Sequence, residues 1–152
     1  MVKFLFISLA SASFLLIPEK KLETGIYYVK DNTNATTIQM KFEESNSISI
    51  LNIDTVAICT KKDFKKVDFD ISGYTSQPVV RIELYQNGAK KFSEATEKSL
   101  GKKLAIISNG KIISVPYVNE KISEGKISIS GNFTISEAEK IKNELTDKSE
   151  TK

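Results

Sequence analysis

The chain reads as an α+β domain, a mostly antiparallel sheet with two amphipathic helices packed on one face. Three observations predict this. Several short runs alternate apolar and polar residues, the period of a half-buried strand. Two longer segments carry a 3.6-residue apolar stripe bounded by helix-end signals. Between them, Asn109-Gly110 separates two apolar runs, the strongest short hairpin signal.

The elements follow in order. Thr24 to Val29 is rich in β-branched and aromatic residues and predicts a strand. Asp31 to Asn34 is a turn, and Thr37 to Phe42 alternates as a second strand. Glu43 to Ser47 reads as a loop and Ile48 to Ile50 as a short edge piece. Ile53 to Cys59 reads as extended, and Thr60 to Asp63 as a single helical turn. Lys66 to Ile71 places Val67, Phe69 and Ile71 on one face. After the loop Ser72 to Ser76, Val79 to Leu84 turns Val80, Ile82 and Leu84 inward. These two runs are expected to pair as a hairpin.

Asn87-Gly88 opens a helix running to about Ser99, with Ala89, Phe92, Ala95, Thr96 and Ser99 or Leu100 in its stripe and Gly101 placed as its C-cap. Leu104 to Ser108 and Lys111 to Val115 flank the Asn-Gly turn. Pro116 cannot donate to a ladder, which puts that strand at an edge or bulge. Lys126 to Ser130 is an alternating strand between Gly125 and Gly131. Thr134 and Glu137 form a capping box, with Phe133 stapled to Ala138. The helix continues to about Leu145, with Ala138, Ile141 and Leu145 inward.

Composition bounds the function. With 152 residues the chain holds one domain plus tails, enough to bury a core. A net charge of +3, from lysines scattered among acidic residues, predicts no nucleic-acid partner. Of the 22 basic residues only Arg81 is arginine, which disfavours bidentate phosphate recognition. There is no histidine, so the commonest general base and neutral metal ligand are missing. Cys59 has no partner for an internal disulfide, and its apolar neighbours predict a small buried side chain.

Met1 to Ile17 has one lysine ahead of an apolar run that Pro18 ends, the layout of a secretory signal. An uncleaved membrane anchor and a buried first element are the alternatives. Residues 1–20 are therefore set apart from the fold.

No constellation predicts catalysis. The glycines never form GxGxxG or GxxxxGK[ST]. Ser108, Ser114, Ser128 and Ser130 have no histidine to activate them. Asp54, Asp63, Asp68 and Asp70 lack calcium-loop spacing, and Asp68 and Asp70 suit a solvated strand face. The predicted catalytic, cofactor and metal residues are thus none. Tyr27, Tyr28, Tyr74, Tyr85 and Tyr117 suit either a partner surface or core packing with a wet hydroxyl. The edge near Pro116 to Asn119 suits strand addition by an extended peptide.

Several segments carry a family resemblance. They are Gln77-Pro78-Val79-Val80-Arg81-Ile82-Glu83-Leu84, Gly88-Ala89-Lys90-Lys91-Phe92 and Gly101-Lys102-Lys103-Leu104-Ala105-Ile106-Ile107. Thr96-Glu97, Asn109-Gly110-Lys111-Ile112-Ile113-Ser114-Val115-Pro116, Ile122 and Ile129-Ser130-Gly131-Asn132-Phe133-Thr134 complete the set. Together they resemble the head of the first periplasmic domain of SecD, a subunit of the bacterial protein-export machinery. The likeness is strong over Gln77 to Leu145 and weaker from Thr24 to Lys66.

The resemblance implies family-motif positions at Gly88, Phe92, Gly101, Leu104, Asn109, Gly110, Pro116, Gly131, Phe133 and Thr134, with structural roles. It implies a head-like domain over 22–146, after a signal or anchor at 1–20 and before a disordered tail at 147–152. It also implies a non-enzymatic protein-binding module, exported to the periplasm or held on the outer side of the inner membrane. The implied partners are a preprotein, a translocase subunit or another envelope protein, with no cofactor. An interaction domain of structural or inhibitor type, unrelated to export, is the alternative. Full-length SecD-like subunits carry six transmembrane helices. Nothing here after residue 17 is apolar and long enough to span, so proton-driven pulling is not implied.

Overall fold

A computed structural model describes residues 21–44, 47–131 and 133–146. The expected signal or anchor segment and the tail lie outside them. The fold is α+β and mostly antiparallel, with two helices. Its strands divide into two sheets.

The first sheet is built around β1, Gly25–Lys30, which pairs on one side with β3, Ser47–Thr60, and on the other with β6, Leu104–Ser108. β2, Thr37–Glu44, and β7, Lys111–Ser114, are its edges, giving the order β2-β3-β1-β6-β7. Both edges approach each other, so the sheet curls. Its inner concave face holds Leu22, Tyr27, Ile53, Ala105 and Ile107. Burial pushes the Tyr27 phenol up to about 12, and its hydroxyl donates to the Glu23 carbonyl at 2.9 Å.

The second sheet has the order β4-β5-β8: β4 is Phe64–Ile71, β5 is Pro78–Leu84 and β8 is Lys126–Ser130. The expected hairpin of the first two is present, with Val67 opposite Ile82. Between the sheets lie α1, Gln86–Lys98, and α2, Ile135–Thr146. α1 buries Phe92, Ala95 and Thr96, and α2 buries Ala138, Ile141 and Leu145, the stripes expected of them. Both helices join one core with Ile26, Leu104 and Ile106 of the first sheet and Val80, Ile82 and Ile129 of the second.

Two local readings change. The edge piece and the extended run merge instead into the long strand β3, and the expected loop shortens as Glu43 and Glu44 join β2 and Ser47 joins β3, with pairing from Thr37↔Asp54 to Glu44↔Ser47. A continuous ladder with β2 outweighs the weak strand preference of Ser47, Ser49 and Asn52. Register shifts in the β1–β3 pairing bend the strand, so its far half serves β2. The first helix begins slightly before Asn87-Gly88, and Gly88 is buried in its first turn. A side chain at Gly88 would set its Cβ 2.8 Å from the Asp63 Cβ, which explains a glycine where helix propensity disfavours one.

That contact sits on a small polar lock. Lys61–Asp63 forms a 3-10 turn whose Asp63 carboxylate accepts from the Thr60 N–H at 2.9 Å and from Lys91 of α1, also at 2.9 Å. The Asp63 side chain is 12% exposed. Burial alone would raise its pKa. The bonds from Thr60 and Lys91 outweigh that and hold it below the ordinary carboxylate value. A carboxyl with a lowered folded pKa favours the folded state above its unfolded value. That contribution is lost as pH falls through the folded pKa. Asp63→Ala is therefore expected to cost about 1–2 kcal/mol near neutral pH. Chemical denaturation from neutral pH down into the acid range should show a shallower loss of stability for this variant than for the parent chain. Equal acid slopes would remove Asp63 from the acid response.

Candidate functional site

The Thr134–Glu137 capping box forms as read. The Thr134 N–H donates to Glu137 at 2.8 Å, and the Glu137 N–H to the Thr134 hydroxyl at 3.2 Å. Phe133 lies over Gly131, where any Cβ would strike its ring, and packs against the core. Asn109 and Gly110 both take positive φ, 48° and 74°, in the turn joining β6 and β7. The C-cap of α1 is Ser99 and not Gly101, which reverses the chain two residues later at φ 71°. These six motif positions shape turns and caps at three separate places.

Phe92, Leu104 and Pro116 are different, because the fold brings them together. They line a cavity of about 220 Å³ between the free edge of β8 and residues 116–122. Its wall also includes Ile26, Thr96, Ile106, Tyr117, Val118, Ile122 and Ile127. The volume falls below the range of about 300–1,000 Å³ usual for small-molecule sites. It suits a protruding side chain.

The 116–122 wall is fixed from below. The Leu104 N–H donates to the Pro116 carbonyl at 3.1 Å, and the Val118 N–H to the Lys102 carbonyl at 2.9 Å. Pro116 thus accepts from the ladder and gives nothing to it, as its missing N–H requires. Further along, the Ile122 N–H donates to the hydroxyl of Thr96, itself fully buried in α1, at 3.0 Å. The stripe reading took Thr96 as ordinary core, and the family resemblance included it without a role. A hydroxyl inside an apolar stripe is the signal that could have flagged it, since it needs a partner there.

Tyr117 is 62% exposed at the rim, with the Lys103 ammonium 4.8 Å from its ring centre. Of the other tyrosines, Tyr27 is core, Tyr28 is half-buried, and Tyr74 and Tyr85 are exposed away from the cavity. Cys59 is fully buried and its thiol is 3.6 Å from the Gly88 carbonyl; burial pushes it up to about 12. It is a small apolar side chain at neutral pH.

The outer face of the second sheet is charged and self-paired. Lys65 meets Glu83 at 2.6 Å, Lys66 meets Asp68 at 3.1 Å, and Arg81 meets Asp70 at 3.3 Å. Asp68 and Asp70 therefore serve a solvated strand face. Among the described residues no group of three or more His, Cys, Asp or Glu is placed to hold a metal ion. No helix among them is long and apolar enough to cross a membrane.

Comparison with known proteins points one way. The model of the family described as SecDF, P1 head subdomain, matches residues 36–147. That span reaches well before Gln77, into β2 and β3. Over 76 residues the chain is 47% identical to the protein translocase subunit SecD of Dictyoglomus turgidum, covering 50% of this chain and 18% of that protein. The same subunit of Treponema pallidum is 46% identical over 74 residues, covering 49% of this chain and 12% of that protein. The chain thus spans less than a fifth of the length of these curated relatives. A solved structure described as a membrane component SecDF that enhances protein export superposes with a TM-score of 0.61 at 20% identity. It covers 83% of this chain and 62% of that one. A crystal structure of SecDF in a super-membrane-facing form gives 0.60 at 20% identity, covering 80% of this chain and 18% of that one. At that identity the likeness is one of fold.

Proposed function

The chain belongs to the SecDF P1 head subdomain family, and from that premise we propose that it is a non-enzymatic, envelope-side module that binds polypeptide and assists protein export. One observation carries this reading. The cavity wall gathers family-motif residues from α1, β6 and the loop after β7, and its lining is mostly apolar with no acid–base pair. A site of that character suits a side chain of a partner protein better than a reacting small molecule. The partners that follow are a preprotein in transit, a translocase subunit or another envelope protein. We place residues 22–146 in the head-like unit and assign 1–20 to a signal peptide or anchor. The motif residues Gly101, Asn109, Gly110, Gly131, Phe133 and Thr134 hold the scaffold, while Phe92, Leu104 and Pro116 shape the cavity.

Site-specific photocrosslinking tests the reading. A photoreactive residue at Tyr117, in the full chain exported by a bacterium with an active export machinery, is expected to capture exported preproteins or translocase subunits. The same probe at Ile48, 64% exposed on the distant β2–β3 hairpin, is the control and should capture several-fold less. Equal capture at both positions would refute the site. A single unrelated folded partner would instead favour an interaction domain of structural or inhibitor type.

A further inference from the structure

We propose that the groove is filled by strand addition: an extended, uncharged segment of the partner polypeptide pairs with the outer edge of β8 and lowers alternate apolar side chains into the cavity. This rests on the protein-binding reading above and specifies how the partner is held.

The main-chain phase of β8 sets the argument. The Leu84 N–H donates to the Gly125 carbonyl at 2.8 Å, and the ladder continues in register to Val79↔Ser130. In an antiparallel pair, alternate residues turn their N–H and C=O toward the neighbour. Ile127 and Ile129 therefore turn theirs to β5, while Lys126, Ser128 and Ser130 turn theirs outward. Among the described residues, no hydrogen bond reaches those outward groups. Ile127 and Ser128 also line the cavity, so the row of open donors and acceptors runs along its rim.

The opposite edge of this sheet is closed. The Ser72 N–H donates to the Gln77 carbonyl at 2.8 Å, which turns the Phe69 and Ile71 amides outward on β4. Both are already taken: the Phe69 N–H donates to the Asp68 carboxylate at 3.2 Å, and the Ile71 N–H to Asp70 at 2.8 Å. α2 packs against β4 as well. Edge strands with open amides invite another strand, and natural sheets blunt the edges they do not use. Here the blunting is on β4 and absent from the amides of β8.

The occupant follows from what the groove offers. Main-chain pairing accepts any sequence, and selectivity comes from the pockets under alternate side chains. The cavity floor of Phe92, Leu104, Ile106 and Val118 calls for apolar residues at every second position. Glu120 also lines the cavity, and the charges around the rim balance, Glu97, Glu120 and Glu124 against Lys103, Lys121 and Lys126. Glu97 meets Lys121 at 3.0 Å, Glu124 meets Lys126 at 3.6 Å, and Lys103 sits over Tyr117. A balanced rim complements an uncharged segment and offers nothing to a charged one.

A synthetic peptide alternating Val or Leu with Thr or Ser, added to the full chain, tests this. Hydrogen exchange is expected to slow at the amides of Ser128 and Ser130. N-methylation of the peptide residues facing β8 should weaken binding about tenfold per lost bond, while methylation of the intervening residues should leave it unchanged. Ser128→Pro removes an outward N–H without removing a bond to β5 and should abolish binding in a chain whose amide spectrum is otherwise native. Protection elsewhere, or equal sensitivity to both methylation patterns, would overturn strand addition. So would slow exchange at Ser128 that depends on protein concentration without peptide, which would mean that a second copy covers the edge. No peptide binding with Tyr117 crosslinks intact would end this proposal and leave the protein-binding reading standing. Loss of both would end both.

Discussion

Truncating Phe92 to alanine is expected to destabilise the fold by about 3–5 kcal/mol, a large share of the roughly 5–15 kcal/mol that holds a domain of this kind together. Phe92 is 4% exposed and stands where α1 meets the first sheet and the 116–122 segment. Its ring forms one wall of the existing cavity. The neighbours have little room to collapse, because Thr96 and Leu104 on either side are held by the Ile122 and Pro116 hydrogen bonds. The cost is therefore transfer of the ring plus an enlarged void. Urea unfolding should show a lower midpoint with the slope unchanged. A loss below about 1 kcal/mol would mean that the cavity walls close readily, and the rigid groove argued above would then be untenable.

Gly125→Val is expected to cost a similar amount for another reason. Gly125 has φ 65°, where a β-branched residue is strained. Its Cβ would also stand 2.5 Å from the Ala89 Cβ and 3.2 Å from the Ala89 Cα of α1. Neither can swing aside as a long side chain would, so the helix must move off β5. Backbone strain and overpacking together amount to about 2–6 kcal/mol. Two companion variants separate the causes. Gly101→Ala has the same handedness problem, at φ 71°, but open space around it, and should lose only about 1–2 kcal/mol. Gly73→Ala has neither problem and should stay within about 0.5 kcal/mol of the parent. If Gly101→Ala cost as much as Gly125→Val, strain alone would account for both and the close approach of α1 would explain nothing.

Both variants act where local sequence and long-range packing meet, and that boundary also separates what was legible. The stripe through Phe92, Ala95 and Thr96, the capping box at Thr134, the Asn109-Gly110 turn and the burial of Cys59 could all be read from neighbours within a few positions. Each depends on a period or a cap, which nearby residues set. The unity of β3 was hidden because Asn52, a weak strand former, separates the Ile48 to Ile50 run from the run starting at Ile53; its partner β2 supplies the order. The strand-addition site was read at Pro116 to Asn119. In the structure Pro116 bonds Leu104 of β6 and Val118 bonds Gly101 and Lys102 just before it, and we place the added strand across the cavity, on β8.

The sequence by itself determined the class of fold, the inward face of β5, the buried stripes of both helices, the cap of α2, and the family, because side-chain alternation and capping are short-range physics. Only the tertiary structure decided that the strands form two sheets, that Phe92, Leu104 and Pro116 share a wall with Ile127, and that β4 is a closed edge while β8 is an open one. Those outcomes depend on which distant segments become neighbours. Ser130 pairs with Val79, and Ile122 with Thr96, through contacts whose loop-closure cost and burial are settled by the whole chain at once.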